Sequence, residues 1–126
     1  MMLAGIGLAP NKDTGSGKLM TTTTWSGGSH FDYSGSVVTG TEIRYGRDSK
    51  NRIKISGLQY ADLLAHFRGK EVPVGTDHVH PPSGSLGDWL KKNVSETAIA
   101  SYVAPVLVQE GYAARASDPK NIRFNP

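Results

Sequence analysis

The chain has 126 residues, a formal net charge of +3 and no cysteine, which excludes a disulfide framework, a thiolate zinc site and a cysteine nucleophile and suits a reducing cytoplasm. No apolar run approaches the ~20 residues that a membrane-spanning helix needs, and the apolar opening Met1–Pro10 lacks the basic start of a signal peptide. We therefore expect a cytoplasmic protein of one domain without a membrane partner.

The first 35 residues are expected to form a flexible tail. Gly, Ser and Thr dominate from Thr14 to Ser29, and the run Thr21–Thr24 adds no helical period. Trp25, Phe31 and Tyr33 are the large side chains of this segment. We expect them to anchor the end of the tail by covering apolar surface of the domain.

A β-hairpin is predicted next, at residues 36–56. Ser36–Tyr45 is rich in Val and Thr, Asp48–Asn51 has the composition of a turn, and Arg52–Ile55 alternates between polar and apolar residues. Ser56 then caps the first helix. We expect this hairpin to extend or flank the small sheet of a domain that covers residues 36–126.

Helices and strands are predicted in a definite order from residue 58 to residue 124. Apolar residues recur at helical spacing in three segments and alternate in three shorter ones. This pattern predicts an α+β fold with a three-helix core and a small antiparallel sheet. In order, the segments are the helix Leu58–Phe67, the strand Glu71–Thr76, the helices Ser85–Val94 and Glu96–Glu110, and the strands Tyr112–Ala116 and Ile122–Phe124 around the turn Ser117–Asn121.

Capping and breaking residues mark the last two helices. Ser85 opens an S-x-x-D capping box, and Ser95 can cap the third helix. Gly111 lies where a helix would stop. Pro105 lies inside the third helix, where a proline costs about 3 kcal/mol in a straight helix. The third helix therefore either kinks at Pro105 or divides into two shorter helices.

The segment Val103–Ala113 resembles the end of a winged-helix recognition helix that runs into its wing. Apolar pairs are followed by Glu110 and Gly111 and then by an aromatic residue that enters the strand. With the order of the elements, the resemblance to winged-helix domains covers about Leu58–Phe124. It implies that the third helix is a recognition helix, that the last hairpin is a wing and that the partner is duplex DNA.

Basic residues predict phosphate contacts at three places. Residues 40–70 contain seven basic and three acidic residues, so their local net charge of +4 exceeds the +3 of the chain. Arg52 and Lys54 alternate with isoleucines and should share one face of a strand; the alternative is that this face is simply solvated. The candidates are Arg44, Arg47, Lys50, Arg52 and Lys54 in the hairpin, Lys91 and Lys92 at the end of the second helix, and Arg115, Lys120 and Arg123 around the wing.

The predicted recognition helix has few groups that read bases. Its outward positions lack the forked donors and amides of direct readout until Gln109, although Ser95, Thr97 and Ser101 could contact DNA. Three small or apolar residues recur at intervals of four on this helix and favour a protein interface, most simply a homodimer, or a face hidden beneath the N-terminal tail. They are Ala100, Ala104 and Val108.

An enzyme is the alternative from another class. His78 and His80 lie two residues apart in an extended loop and can face the same way, and His30, His66 or Asp32 could complete a metal shell. No third ligand has informative spacing. The chain also lacks a nucleophile elbow and a carboxylate pair in a recognisable catalytic context. We predict no catalytic residue, metal or cofactor, and a small DNA-binding protein, with a protein-interaction module as the alternative.

Overall fold

The structure is a computed structural model that describes residues 18–126, and it has an α+β fold. Strands β1–β4 form an antiparallel sheet in that order, and the last three strands form a second antiparallel sheet in the order β5–β7–β6. Among residues 18–126, no helix combines the length and the apolar composition needed to cross a bilayer. The elements are β1 Met20–Thr23, β2 His30–Ser36, β3 Gly40–Tyr45, β4 Asn51–Ser56, α1 Gly57–Phe67, β5 Glu71–Pro73, α2 Leu86–Asn93, α3 Ala100–Gln109, β6 Ala113–Arg115 and β7 Asn121–Phe124.

The expected flexible tail is wrong for residues 18–35. Strands β1 and β2 pair with each other, with Met20 opposite Tyr33, and β2 pairs with β3. Trp25, Phe31 and Tyr33 are 7%, 3% and 1% exposed and belong to the core. Of the polar residues that suggested a tail, Thr21–Thr23 belong to strand β1 and Ser26–Ser29 belong to the turn that follows it. Residues 1–17, the rest of the expected tail, lie outside the described part of the chain.

The predicted hairpin is confirmed as β3–β4, but it does not extend the small sheet. It forms the other half of the four-stranded sheet, with Ile43 opposite Ile53 on the side that faces the core. Arg52 and Lys54 are exposed and share the outward face, as the alternation predicted. Side chains from both sheets and from all three helices nevertheless join one hydrophobic core.

Serine caps begin the first two helices but not the third. The hydroxyl of Ser56 accepts from the backbone of α1 within a complete capping box, and buried Ser85 caps α2. Helix α3 begins only at Ala100 and has no side-chain cap. The predicted cap by Ser95 is wrong because its hydroxyl accepts instead from the N–H of Thr97 at 3.2 Å, a local bond that competes with helix formation.

Helix α3 is the central helix of the core. It contacts β1 of the larger sheet, helix α2 and β6 of the smaller sheet. The helix continues through Pro105, so the alternative of two shorter helices is wrong. Gly111 follows it with a φ of +86°, the left-handed conformation that ends a helix. The buried residues of α3 are Ala100, Val103, Ala104, Pro105, Val106 and Leu107.

Candidate nucleic-acid interface

Helix α3, the expected recognition helix, has little free surface for DNA. Ala100 and Ala104 are 2% and 0% exposed, so the expected dimer stripe is wrong for both residues, and Val108 is half-buried. The alternative of a face hidden beneath the N-terminal segment agrees with the contact between α3 and β1. The ring of Tyr102, also on α3, lies 4.4 Å from the ring of Tyr45 in β3, centroid to centroid. Most of α3 is therefore packed against the rest of the protein, and little of its surface is available to a major groove.

The polar residues predicted at the start of α3 are only partly available. Ser101 is half-buried, and its carbonyl oxygen accepts from the N–H of Trp25 at 2.9 Å. Thr97 is exposed and Ser95 is half-buried, and both lie in the loop before α3 instead of on the helix. Helix α3 therefore lacks the exposed polar surface that specific base readout would need.

The two lysines of α2 are both engaged in local contacts. The ammonium group of Lys91 donates to the carbonyl oxygen of His78 at 2.6 Å, and Lys91 is half-buried. Lys92 pairs with Asp88 one helical turn earlier at 3.2 Å. A surface pair of this kind is worth less than about 1 kcal/mol, so Lys92 can exchange its partner for a phosphate more easily than Lys91.

The outward face of the larger sheet mixes both signs of charge. Arg44 forms an ion pair with Glu42 at 3.3 Å and stands between Asp32 on β2 and Arg52 on β4. Glu42 stands opposite Lys54. The basic excess predicted from composition is therefore largely balanced on this face. Charge is less balanced at the hairpin tip, where Arg47 and Lys50 are both exposed.

The β6–β7 hairpin, which the resemblance implies is a wing and which is called the wing below, carries its basic residues on two different faces. Strands β6 and β7 join through a turn in which the carboxylate of Asp118 accepts from the N–H of Lys120 at 2.9 Å. Arg123 is exposed between Glu71 on β5 and Ala114 on β6, with which it is in register. Arg115 instead stands opposite Ile122, on the side that faces the core. The three predicted wing contacts thus do not form one cluster.

A groove of about 610 Å³ opens beside the wing. Three loops form it: the turn that follows β1, the connection between β5 and α2, and the wing itself. It contains both cationic and apolar walls, because prolines and an aromatic ring lie beside basic side chains. Its principal residues are Trp25, Asp77, His80, Arg115, Pro119 and Lys120.

Trp25 and Arg115 are locked together at this groove. The guanidinium carbon lies 3.9 Å from the centre of the indole ring, and a guanidinium N–H donates to the carbonyl oxygen of Trp25 at 3.0 Å. The indole N–H donates to the carbonyl oxygen of Pro119 in the wing at 2.9 Å. A cation over an indole ring is stabilised by about 0.5–2 kcal/mol. Arg115 is therefore an exposed cation with a fixed position.

The groove also contains one carboxylate. Asp77 accepts from the backbone N–H groups of His80 and Val79, at 2.8 and 2.7 Å, and these bonds lower the pKa of Asp77 below its ordinary range. Its negative charge is thus present at neutral pH. Within residues 18–126, no three His, Asp or Glu side chains lie close enough together to hold a metal ion, so neither Asp32 nor another histidine is brought to His80 as a third ligand.

Sequence reasoning identified Arg115 and Lys120 but missed the groove. It placed Trp25 at the end of a tail and expected its ring to cover apolar surface of the domain, and the ring is buried. The contact with Arg115 was not predicted, because nothing local links residues that are ninety positions apart. Comparison of the chain with protein-family models, curated proteins and solved structures finds no match.

Proposed function

We propose that the protein binds nucleic acid through phosphate contacts at the groove and at the tip of the β3–β4 hairpin. The observation that carries this proposal is the exposed guanidinium of Arg115, which Trp25 holds in place beside the exposed Lys120. A cation that is already ordered loses little entropy when it binds. Each phosphate that it neutralises releases counterions and adds affinity that does not depend on sequence.

The order of the elements supports a winged-helix type of domain. Helix α1, strand β5, helices α2 and α3 and the hairpin β6–β7 follow one another in the order that the resemblance implies. Burial of α3 favours a mode in which the wing makes the contact instead of the recognition helix. Such contacts position a protein on the backbone of nucleic acid without direct base readout. We therefore propose binding with weak sequence preference.

Salt dependence tests this function directly. Fluorescence anisotropy of labelled duplex and single-stranded DNA should show affinity that falls with salt, with a log–log slope of about −0.9 per phosphate for duplex and −0.7 for single strands. Lys120→Ala should flatten the slope by one phosphate. Arg123→Ala is the matched control, because Arg123 carries the same charge on the same hairpin but is not among the residues that line the groove. Absence of binding to either DNA at low salt would exclude the proposal.

A protein-interaction function is the second candidate, and one apolar surface favours it. Val38 and Leu58 are 72% and 80% exposed, and Val38 borders a shallow depression of about 230 Å³ together with Ala61 and Leu64. An exposed apolar side chain beside an apolar depression is typical of an interface. Sedimentation tests self-association through this depression: Val38→Glu should dissociate a dimer, and a monomeric wild type would exclude a homodimer.

A further inference from the structure

The guanidinium of Arg115 is held at the edge of the groove. Its central carbon lies 3.9 Å from the centre of the Trp25 indole ring, and Arg115 is an exposed residue. Planar guanidinium groups stack on nucleic-acid bases, which is one of the ways in which proteins hold bases that have left a helical stack. The bond from the guanidinium to the Trp25 carbonyl oxygen also restricts rotation of the plane. The guanidinium is thus held in position before any ligand arrives.

The shape of the groove selects against a duplex. Its volume of about 610 Å³ lies within the range of small-molecule sites, about 300–1,000 Å³. Three loops surround the groove, so it is a concave site that a small ligand can enter. Duplex DNA is bound in the opposite way, because protein helices or strands enter the grooves of the DNA. The backbone of a duplex could touch only the rim, while an unstacked base could enter.

The charges of the groove fit a nucleotide better than a purely anionic ligand. Lys120 and Arg115 can neutralise a phosphate, while the carboxylate of Asp77 can accept from the N–H groups of a base. Because the pKa of Asp77 is lowered, this carboxylate is negatively charged at neutral pH. A peptide of glutamates would bring several carboxylates toward Asp77 and be repelled.

We propose that this groove binds one unstacked nucleotide of a single-stranded nucleic acid. The base stacks on the guanidinium of Arg115, and the adjoining phosphate contacts Lys120. This inference rests on the proposed nucleic-acid binding and adds to it the preference for a single strand. In this site, Arg115 accounts for the preference for a single strand, and Lys120 accounts for the electrostatic contact with phosphate.

Direct comparison of probes tests the preference. The probes are a labelled oligothymidylate of about ten nucleotides, a duplex of the same length, a polyglutamate peptide and inorganic phosphate. We expect the single strand to bind at least about fivefold more tightly than the duplex, the effect of one stacked base. We expect polyglutamate not to bind, and phosphate at equal ionic strength not to displace the oligonucleotide.

A charge-preserving variant and a charge-removing variant separate stacking from electrostatics. Arg115→Lys keeps the charge but loses the plane, so it should abolish the preference for the single strand and leave the salt slope unchanged. Lys120→Ala should reduce the slope by about 0.7 and keep the preference. Arg123→Lys is the matched control on the opposite face of the wing and should change neither. Since Arg115 contacts Trp25, thermal unfolding of Arg115→Lys is measured in parallel, and the exposed Lys120 provides an independent variant.

The outcomes distinguish this inference from the broader function. Equal affinity for duplex and single strand, or a preference that survives in Arg115→Lys, overturns the single-nucleotide site while nucleic-acid binding stands. Displacement by phosphate also overturns it, because the groove would then bind phosphate alone. Binding of polyglutamate with similar affinity would make an acidic peptide the ligand. No binding of either nucleic acid overturns both proposals.

Discussion

The backbone N–H of Trp25 donates to the carbonyl oxygen of Ser101 at 2.9 Å. In an uninterrupted α-helix this oxygen would accept from the residue four positions later, which is Pro105 and has no N–H. The turn after β1 therefore supplies the bond that the proline removes. The same bond fastens the N-terminal segment to the central helix, so one local irregularity of α3 and one long-range contact have a common cause.

Replacement of Trp25 tests its place in the core. Trp25→Ala should lower the free energy of unfolding by about 3–5 kcal/mol, the usual cost of removing a large buried side chain. Trp25→Phe should cost less, because it keeps a ring but loses the indole hydrogen bond to Pro119. Urea denaturation followed by circular dichroism measures both. Val38→Ala is the control and should have little effect, since Val38 is 72% exposed. If Trp25→Ala had an equally small effect, Trp25 would lie in a flexible tail and not in the core.

Gly87 tests the close packing of α2 against the connection that lines the groove. Its N–H donates to the carbonyl oxygen of Val74 at 2.8 Å, and a Cβ at Gly87 would overlap the carbonyl oxygen of Gly75. Gly87→Ala should therefore cost about 1–3 kcal/mol through displacement of the backbone, and it should weaken binding at the groove. Gly28→Ala is the matched control, because its new Cβ would lie 3.7 Å from the nearest atom, the hydroxyl of Ser26. Equal melting temperatures for the two variants would refute this packing.

Alkaline pH should destabilise the protein through two buried tyrosines. Burial, followed by the nearby Glu110 carboxylate, raises the pKa of Tyr33 well above its ordinary value, and burial raises the pKa of Tyr60. The unfolded chain releases these protons near pH 10 while the folded protein retains them. Their contribution to stability is therefore complete below pH 10 and is lost as the pH rises toward the folded-state pKa values, by up to about 1.4 kcal/mol per pH unit for each tyrosine.

Thermal unfolding between pH 8 and pH 11 measures this loss. Tyr60→Phe should make the decline above pH 10 less steep, although it also removes the 2.7 Å hydrogen bond between the hydroxyls of Tyr60 and Thr41. Tyr112→Phe is the control because Tyr112 is only half-buried. An unchanged slope in Tyr60→Phe would contradict the linkage.

Ala104→Glu distinguishes a core position from an interface position. If Ala104 belonged to an exposed dimer stripe on α3, the Ala104→Glu variant would be a folded monomer. Ala104 is instead 0% exposed. A carboxylate there would be buried without a partner, which costs several kcal/mol. We expect the variant to lose cooperative unfolding, measured by circular dichroism. Ala65→Glu on the exposed face of α1 is the control and should remain folded; a folded, monomeric Ala104→Glu protein would disagree with the burial.

Local features of the chain predicted most of the residues from 36 to 126. Helix α1 and its cap Ser56, helix α2 and its cap Ser85, and the hairpin β6–β7 were all expected, because side-chain periods and capping bonds act within a turn or two. Strands β1 and β2 were missed. Their outward positions are Ser, Thr, Asp and His, so composition obscured the alternation that places Phe31 and Tyr33 in the core.

The start of α3 is a feature that local capping preferences do not predict. Ser95 is a good capping residue in isolation, yet the helix begins at Ala100. Its hydroxyl accepts from the N–H of Thr97 instead. Both bonds satisfy a backbone donor, so local capping rules alone do not determine where α3 begins.

The amino-acid sequence by itself determined the order of helices and strands from residue 36 onward, the α+β class and the positions of most turns in that part of the chain, because these depend on neighbours along the chain. Only the tertiary structure decided which faces remain exposed. Small residues such as Ala100 and Ala104 suit an interface and a core equally well, and the packing of α3 against strand β1, helix α2 and strand β6 placed them in the core. The pairing of Trp25 with Arg115 likewise required three loops to meet, since the energy of that contact exists only after distant segments have packed together.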